Sequence, residues 1–178
     1  MSISSNLESF KSQLEENVVL IAVSKRKPIE DIKEAYSFGQ REFGENHVQE
    51  MCEKQPELPN DIRWHFIGHL QTNKVKYIAP FVHLIHGVDS LKLLKEISKR
   101  AIGNGRVIDC LFQIKISDEE TKFGLDADQV DELLFHEDFN ELKGVRVVGL
   151  MGMASNSSDS ELVRQEFDRL KVLFLRLK

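Results

Sequence analysis

The stretch V-V-L-I-A-V-S-K-R-K-P, residues 18–28, runs six apolar residues into a serine, a lysine and a proline. Six apolar residues without polar alternation read as a strand buried on both faces, the kind found in parallel sheets covered by helices. Pro28 then suits a helix start and Gly39 a helix stop, and Ile29, Ile32, Ala35 and Tyr36 share one helical face between them. Lys25 therefore ends its strand where a core is about to close. Burial there would favour the neutral amine, which can attack an aldehyde to form a Schiff base.

Outward from this stretch the alternation of strand and helix repeats. E-F-G-E-N at 42–46 precedes a helical segment at 47–54, and W-H-F-I-G at 64–68 precedes another at 70–79. L-I-H-G-V-D at 84–89 leads to a helix for which Ser90 or Asp89 is the candidate cap. The longest strand candidate, 107–116, is followed by a helix near 126–135, and 145–153 by a helix from Asp159 to the C-terminus. A βαβ unit takes roughly 30 residues, so this length holds about six βα repeats in one α/β domain. Two architectures fit, a doubly wound open sheet and a TIM-type (β/α) barrel. No G-x-G-x-x-G follows the first strand, where a dinucleotide-binding sheet carries it.

Composition narrows the function. The chain is 41% hydrophobic with a formal net charge of −5, which gives no global attraction to nucleic acid or to an anionic membrane. No window approaches the roughly 18 apolar residues of a membrane span, and the N-terminus lacks the basic start of a targeting segment. Cys52 and Cys110 make neither a disulfide framework nor a zinc spacing, and Cys110 lies in an apolar run as a small core residue. A soluble protein of the reducing cytoplasm is expected.

In both architectures function gathers at the C-terminal ends of the strands. Those ends carry Ser24 and Lys25, Glu45 and Asn46, His65 near Gly68, His86 with Asp89, Lys115 with Ser117, and Met151 with Met153. Each also has a plainer reading: a strand-end lysine is usually solvated, and Glu45-Asn46 suits a helix cap. His65, His69, His83 and His86 invite a metal, but positions four apart on one strand lie about 13 Å apart, so no metal site is expected. H-E-D-F-N at 136–140 lacks the second histidine of H-E-x-x-H and reads as a surface turn.

The segment W-H-F-I-G-H-L-Q-T-N-K-V-K-Y-I, residues 64–78, resembles the signature of the YggS/PROSC family of pyridoxal 5′-phosphate homeostasis proteins. In the same order come A-V-S-K-R-K-P at 22–28, G-Q-R-E-F-G-E-N-H-V-Q-E at 39–50, Q-I-K-I-S-D-E-E-T-K-F-G at 113–124 and G-L-M-G-M-A at 149–154. The resemblance implies a barrel like the N-terminal domain of alanine racemase, with about six of eight βα units present over residues 1–178. It implies pyridoxal 5′-phosphate as cofactor, held as a Schiff base on Lys25, with Asn46 of the G-E-N motif and His65 of W-H-F-I-G beside it. His47 stands where many members have tyrosine. The family also continues beyond the position of Lys178 with two further units, which in such barrels supply the phosphate-binding loops.

These implications favour a non-catalytic carrier that keeps the cofactor available in the cell. A racemase-like enzyme is the alternative, but it needs a second base opposite the lysine, supplied in alanine racemase by a further β-domain for which this length leaves no room. A cofactor-free α/β binding module, with Lys25 incidental, is the third. The expected partner is the small-molecule cofactor, with no nucleic acid, no membrane and no metal. Relatives of full length are expected to be monomeric, and exposed strand edges make self-association of this chain an expectation.

Overall fold

The computed structural model describes residues 2–117, 119 and 123–178. Of the 113–124 motif, Asp118, Glu120, Thr121 and Lys122 therefore lie outside the described residues. The chain opens with α1 (Ile3–Lys11), then alternates: β1 (Ala22–Val23), α2 (Ile29–Ser37), β2 (Glu42–Glu45), α3 (Val48–Lys54), β3 (Arg63–Phe66), α4 (Val75–Ile78), β4 (Leu84–Val88), α5 (Leu91–Gly103), β5 (Ile108–Ile114), α6 (Ala127–Phe135), β6 (Val145–Gly152) and α7 (Ser160–Leu177). All six strands are parallel and stand in chain order from β1 to β6. A doubly wound sheet reverses its strand order at a switch point. Here there is none, so the sheet is the wall of a (β/α) barrel, and among the described residues no strand joins β6 back to β1.

Local chemistry explains the boundaries. Pro28 caps α2 and Gly39 ends it at φ 84°, a left-handed turn that glycine adopts without steric penalty. Ser90, rather than Asp89, caps α5 by accepting from Leu93 N, and Asp126 forms a capping box with Gln129 on α6. The expected helix at 70–79 is instead a 3-10 turn over Thr72–Lys74 followed by the single turn of α4, since Thr72 and Asn73 are poor helix-interior residues. Helix α1 was not expected. Its signal is local: Ser2 caps it, and Ile3 and Leu7 pack against the core.

The two faces of the sheet differ. One row across it, Phe66–Ile85–Cys110–Val147, packs towards the helices among Met51, Val75, Ile78, Leu94 and Ile97. Each fully buried side chain of this size contributes about 1.5–3 kcal/mol. The next row, Val23–Gly44–His65–Leu84–Asp109–Arg146, faces the inside of the unclosed wall and is mixed in polarity. This corrects the expectation of strands buried on both faces. Val18, Val19 and Val23 are 48%, 64% and 49% exposed, only two residues of the 18–25 run form the outer strand, and Lys25 lies on the surface. For Val23 the physical reason is that, among the described residues, no wall stands opposite this face and β1 pairs with β2 alone, whereas Val18 and Val19 precede the strand.

At the other outer strand, an apolar cleft of about 600 Å³ lies beside β6, lined by Leu142, Val147, Leu150, Phe174 and Leu177. H-E-D-F-N forms an exposed 3-10 turn over Glu137–Glu141, as its surface reading required. No described helix is long and apolar enough to cross a membrane. With two outer strands carrying exposed Val23 and Val148, the chain is expected to self-associate as its concentration rises. Light scattering after size exclusion checks this: Val23→Lys and Val148→Lys should each lower the associated fraction, and a concentration-independent monomer would contradict it.

Candidate functional site

Where β1 and β2 leave the sheet, the Ser24 hydroxyl donates to Glu45 Oε1 at 2.7 Å and Ser24 N donates to Gly44 O at 2.9 Å. Lys25 and Asn46 are the next residues along the two strands, each one position beyond this bond. Beyond it the backbone turns sharply. Lys27 N donates to Ser24 O at 3.0 Å, closing a four-residue turn with Lys25 in its second position and Arg26 in its third at φ 59°. That backbone shape is ordinary for glycine and costs another residue about 1–2 kcal/mol. Lys25 itself is exposed, and its amine makes no hydrogen bond or ion pair with the described residues.

The turn is held from behind by α3. Lys54, with 7% of its side chain exposed, donates to Ser24 O at 2.7 Å, to Glu45 Oε1 at 2.8 Å and to Glu50 Oε1 at 2.6 Å. Glu50 Oε1 also accepts from Arg26 N at 2.5 Å. Burial works against ionisation of Glu50, but the hydrogen bonds from Lys54 and Arg26 N and the charge of Lys54 outweigh it and hold the carboxyl below its usual range. Glu45 is therefore no helix cap. The residue at the N-cap of α3 is His47, which makes no side-chain cap bond.

Asn46 is held by glycines. A Cβ on Gly68 would stand 2.2 Å from Asn46 O, and one on Gly87 would stand 2.8 Å from Gly68 O, so β2, β3 and β4 converge here backbone against backbone. Asn46 Oδ1 is buried and has no hydrogen-bond partner among the described residues. An unmet buried acceptor costs about 1–3 kcal/mol, which native chains tolerate mostly where a ligand or water completes it.

His65 lies one inner step below this level, opposite Gly44, about 6–7 Å down the strand from the position level with Asn46. The sequence treats it as a direct neighbour of the cofactor, but both of its ring nitrogens already have partners. Nε2 is 2.7 Å from Glu42 Oε2 and Nδ1 is 2.9 Å from His86 Nε2. A carboxylate only accepts, so His65 donates from Nε2, accepts at Nδ1, and takes its proton bond from His86 Nε2–H. Burial lowers the pKa of His65 despite the opposing pull of Glu42, and burial together with His65 lowers His86 to about 4. Both rings are neutral at physiological pH.

The sequence argument against a histidine cluster holds along one strand and fails between strands, because β3 and β4 bring His65 and His86 side by side. Glu42, His65 and His83 also have donor atoms within 4.8 Å of one another. Glu42 is already shared by Arg63 and His65, however, so protein charge compensates it and we assign it no metal. His69 turns away to pair with Asp89 at 3.6 Å and stacks on Phe123. Lys115 is exposed, Ser117 Oγ is buried without a partner among the described residues, Met151 is half-buried and Met153 is 42% exposed. The structure thus sets Lys25 and Asn46 each one residue beyond the Ser24–Glu45 bond, sets His65 lower on β3, and adds Lys54, Glu50 and Glu42, which sequence reasoning missed.

Residues 1–178 match the family described as alanine racemase, N-terminal domain. Over 155 residues the chain is 43% identical to the pyridoxal phosphate homeostasis protein of Aquifex aeolicus, covering 86% of this chain and 67% of that protein. PipY of Synechococcus elongatus, solved without PLP, superposes with a TM-score of 0.92 at 35% identity over 99% of this chain and 82% of its own; with PLP bound the TM-score is 0.88. An alanine racemase of Clostridium difficile shares the fold, with a TM-score of 0.79 at 16% identity over 99% of this chain and 49% of that one.

Two outcomes follow from the geometry. His86 stays neutral in the folded protein to about pH 4, whereas an unfolded histidine takes its proton near 6.5. The unfolded state therefore binds the proton first, and the contribution of His86 is fully present above pH 6.5 and lost as pH falls towards 4, about 3 kcal/mol in all. Urea midpoints measured across that window should fall, and His86→Gln, which keeps a donor for His65, should flatten the fall. Gly68→Ala, by contrast, should displace Asn46 and lower stability at every pH.

Proposed function

This chain belongs to the pyridoxal phosphate homeostasis protein family, and on that premise we propose that it is a non-catalytic carrier holding pyridoxal 5′-phosphate on Lys25. One observation carries the reading: an exposed, unengaged amine and a buried, unpartnered acceptor stand one residue beyond the same Ser24–Glu45 bond. The residues fit the cofactor. It supplies an aldehyde, which condenses with a primary amine and releases one water. Lys25 offers that amine from a surface turn, where the small molecule can enter and leave. Asn46 Oδ1 offers an acceptor to orient a polar edge of the ring, and the neutral His65–His86 pair closes the floor beneath.

Carriage rather than turnover is supported by His65, whose nitrogens are committed to Glu42 and His86 and so are not offered to a substrate as acid and base. The free thiols Cys52 and Cys110 suit a reducing compartment, the cytoplasm. Burial pushes the Cys110 thiol up to about 12, which makes it inert there.

Borohydride reduction in the presence of pyridoxal 5′-phosphate should leave the pyridoxyl group chiefly on Lys25 by peptide mapping, and Lys25→Ala should abolish most of it. Predominant labelling of Lys27, Lys74 or Lys115 would sink the assignment. Asn46→Leu should act in opposite directions on two readouts. It should raise the melting temperature of the ligand-free protein, because the unmet acceptor is gone, and weaken cofactor binding by roughly fivefold or more, one hydrogen bond of about 1 kcal/mol. Deuterium exchange at the α-carbon of alanine should not exceed that of the free cofactor; faster exchange lost in Lys25→Ala would favour an enzyme.

A further inference from the structure

We propose that Lys54 is a positioning residue for Lys25: its buried ammonium holds the Ser24–Lys27 turn in the shape that presents the Lys25 amine to the cofactor. This deepens the carrier reading and rests on it.

Lys54 belongs to α3, two elements away from the turn, and its three N–H donors are all used, on Ser24 O, Glu45 Oε1 and Glu50 Oε1. Ser24 O is the carbonyl that closes the turn through Lys27 N. Glu50 Oε1, which Lys54 holds at 2.6 Å, is the acceptor for Arg26 N. One ammonium thus fixes both sides of Lys25, through the carbonyl before it and through the carboxylate that grips the amide after it. Glu45, 0% exposed, fills the space between with its second link to Ser24.

Stability alone is a weak reason for such a cluster. Removing two or three charges from water usually offsets what their pairing returns, and apolar replacements are often as stable. What the cluster supplies here is geometry. Arg26 sits in a left-handed conformation that a non-glycine residue leaves unless it is held, and strain of this kind persists where the surroundings over-determine it. Without the clamp the turn relaxes, and Lys25 spreads over conformations of which few reach the cofactor.

The test separates positioning from folding by comparing two ligands. Pyridoxine 5′-phosphate has no aldehyde and reports the pocket alone; pyridoxal 5′-phosphate reports the pocket and the Lys25 bond together. Lys54→Met alone would leave the fully buried Glu45 carboxylate uncompensated, while Glu50 is partly exposed to water, so the informative variant is the double change Lys54→Met with Glu45→Gln, which keeps an acceptor for Ser24 Oγ. It should lose about tenfold or more of the preference for the aldehyde, about 1.4 kcal/mol, with pyridoxine 5′-phosphate affinity unchanged. Glu50→Gln, which keeps a neutral acceptor for Arg26 N, should retain most of the preference. In the ligand-free protein, hydrogen exchange at Arg26 N should speed up in the double variant and only slightly in Glu50→Gln. A preference unchanged in the double variant, or equal loss for both ligands, would overturn the positioning role. A wild-type chain with no aldehyde preference and no Lys25 adduct would instead overturn the carrier reading, and the proposal with it.

Discussion

The hydrogen bond from the Ser24 hydroxyl to the fully buried Glu45 carboxylate ties the outer strand to its neighbour at the height where both chains leave the sheet. Strand β1 is only two residues long and, among the described residues, pairs with β2 alone, so this bond adds to a short ladder and to the Gln40 amide that donates to Leu20 O. Around this link lie Lys25 and Asn46, each one residue beyond it, the burial of Lys54 against Ser24 O, and the capture of Arg26 N by Glu50. The site is a consequence of how an exposed strand is anchored, and the anchor is polar because the turn it holds is polar.

Much of the architecture was legible in the sequence. The apolar runs at 64–68, 84–89, 107–116 and 145–153 mark β3 to β6, and Ser90, Pro28 and Gly39 act as their residue types require. The first run misleads. V-V-L-I-A-V looks doubly buried, but periodicity reports the chain's own apolar faces and cannot report whether a second wall stands opposite them. Val23 is left half in water for that reason, and Lys25, whose desolvation depended on an inward-pointing side chain, is on the surface. The motif containing Lys25 survives this correction, because it marks a strand end whatever the burial.

The partners around the site were hidden for a different reason. Glu50 and Lys54 are four apart on a helix, which in sequence is an ordinary solvated ion pair. Only the fold shows that this face of α3 packs under the turn. Glu42 and His65 are 23 residues apart, and His65 and His86 are 21 apart, so their contacts depend on the parallel register of three strands. Gly68 and Gly87 were visible as glycines, but the backbone approach that requires them was not. The unfilled acceptor on Asn46 and the strained Arg26 both sit at the strand ends, where local structure departs from what stability alone would choose.

A crystal structure of this chain soaked with pyridoxal 5′-phosphate tests the central relation most directly. The expected result is continuous density from Lys25 Nζ into the cofactor, with a cofactor donor within hydrogen-bond distance of Asn46 Oδ1 and the Ser24–Lys27 turn unchanged. Cofactor density joined to a different lysine, or lying away from Asn46 with its Oδ1 still unpartnered, would contradict it.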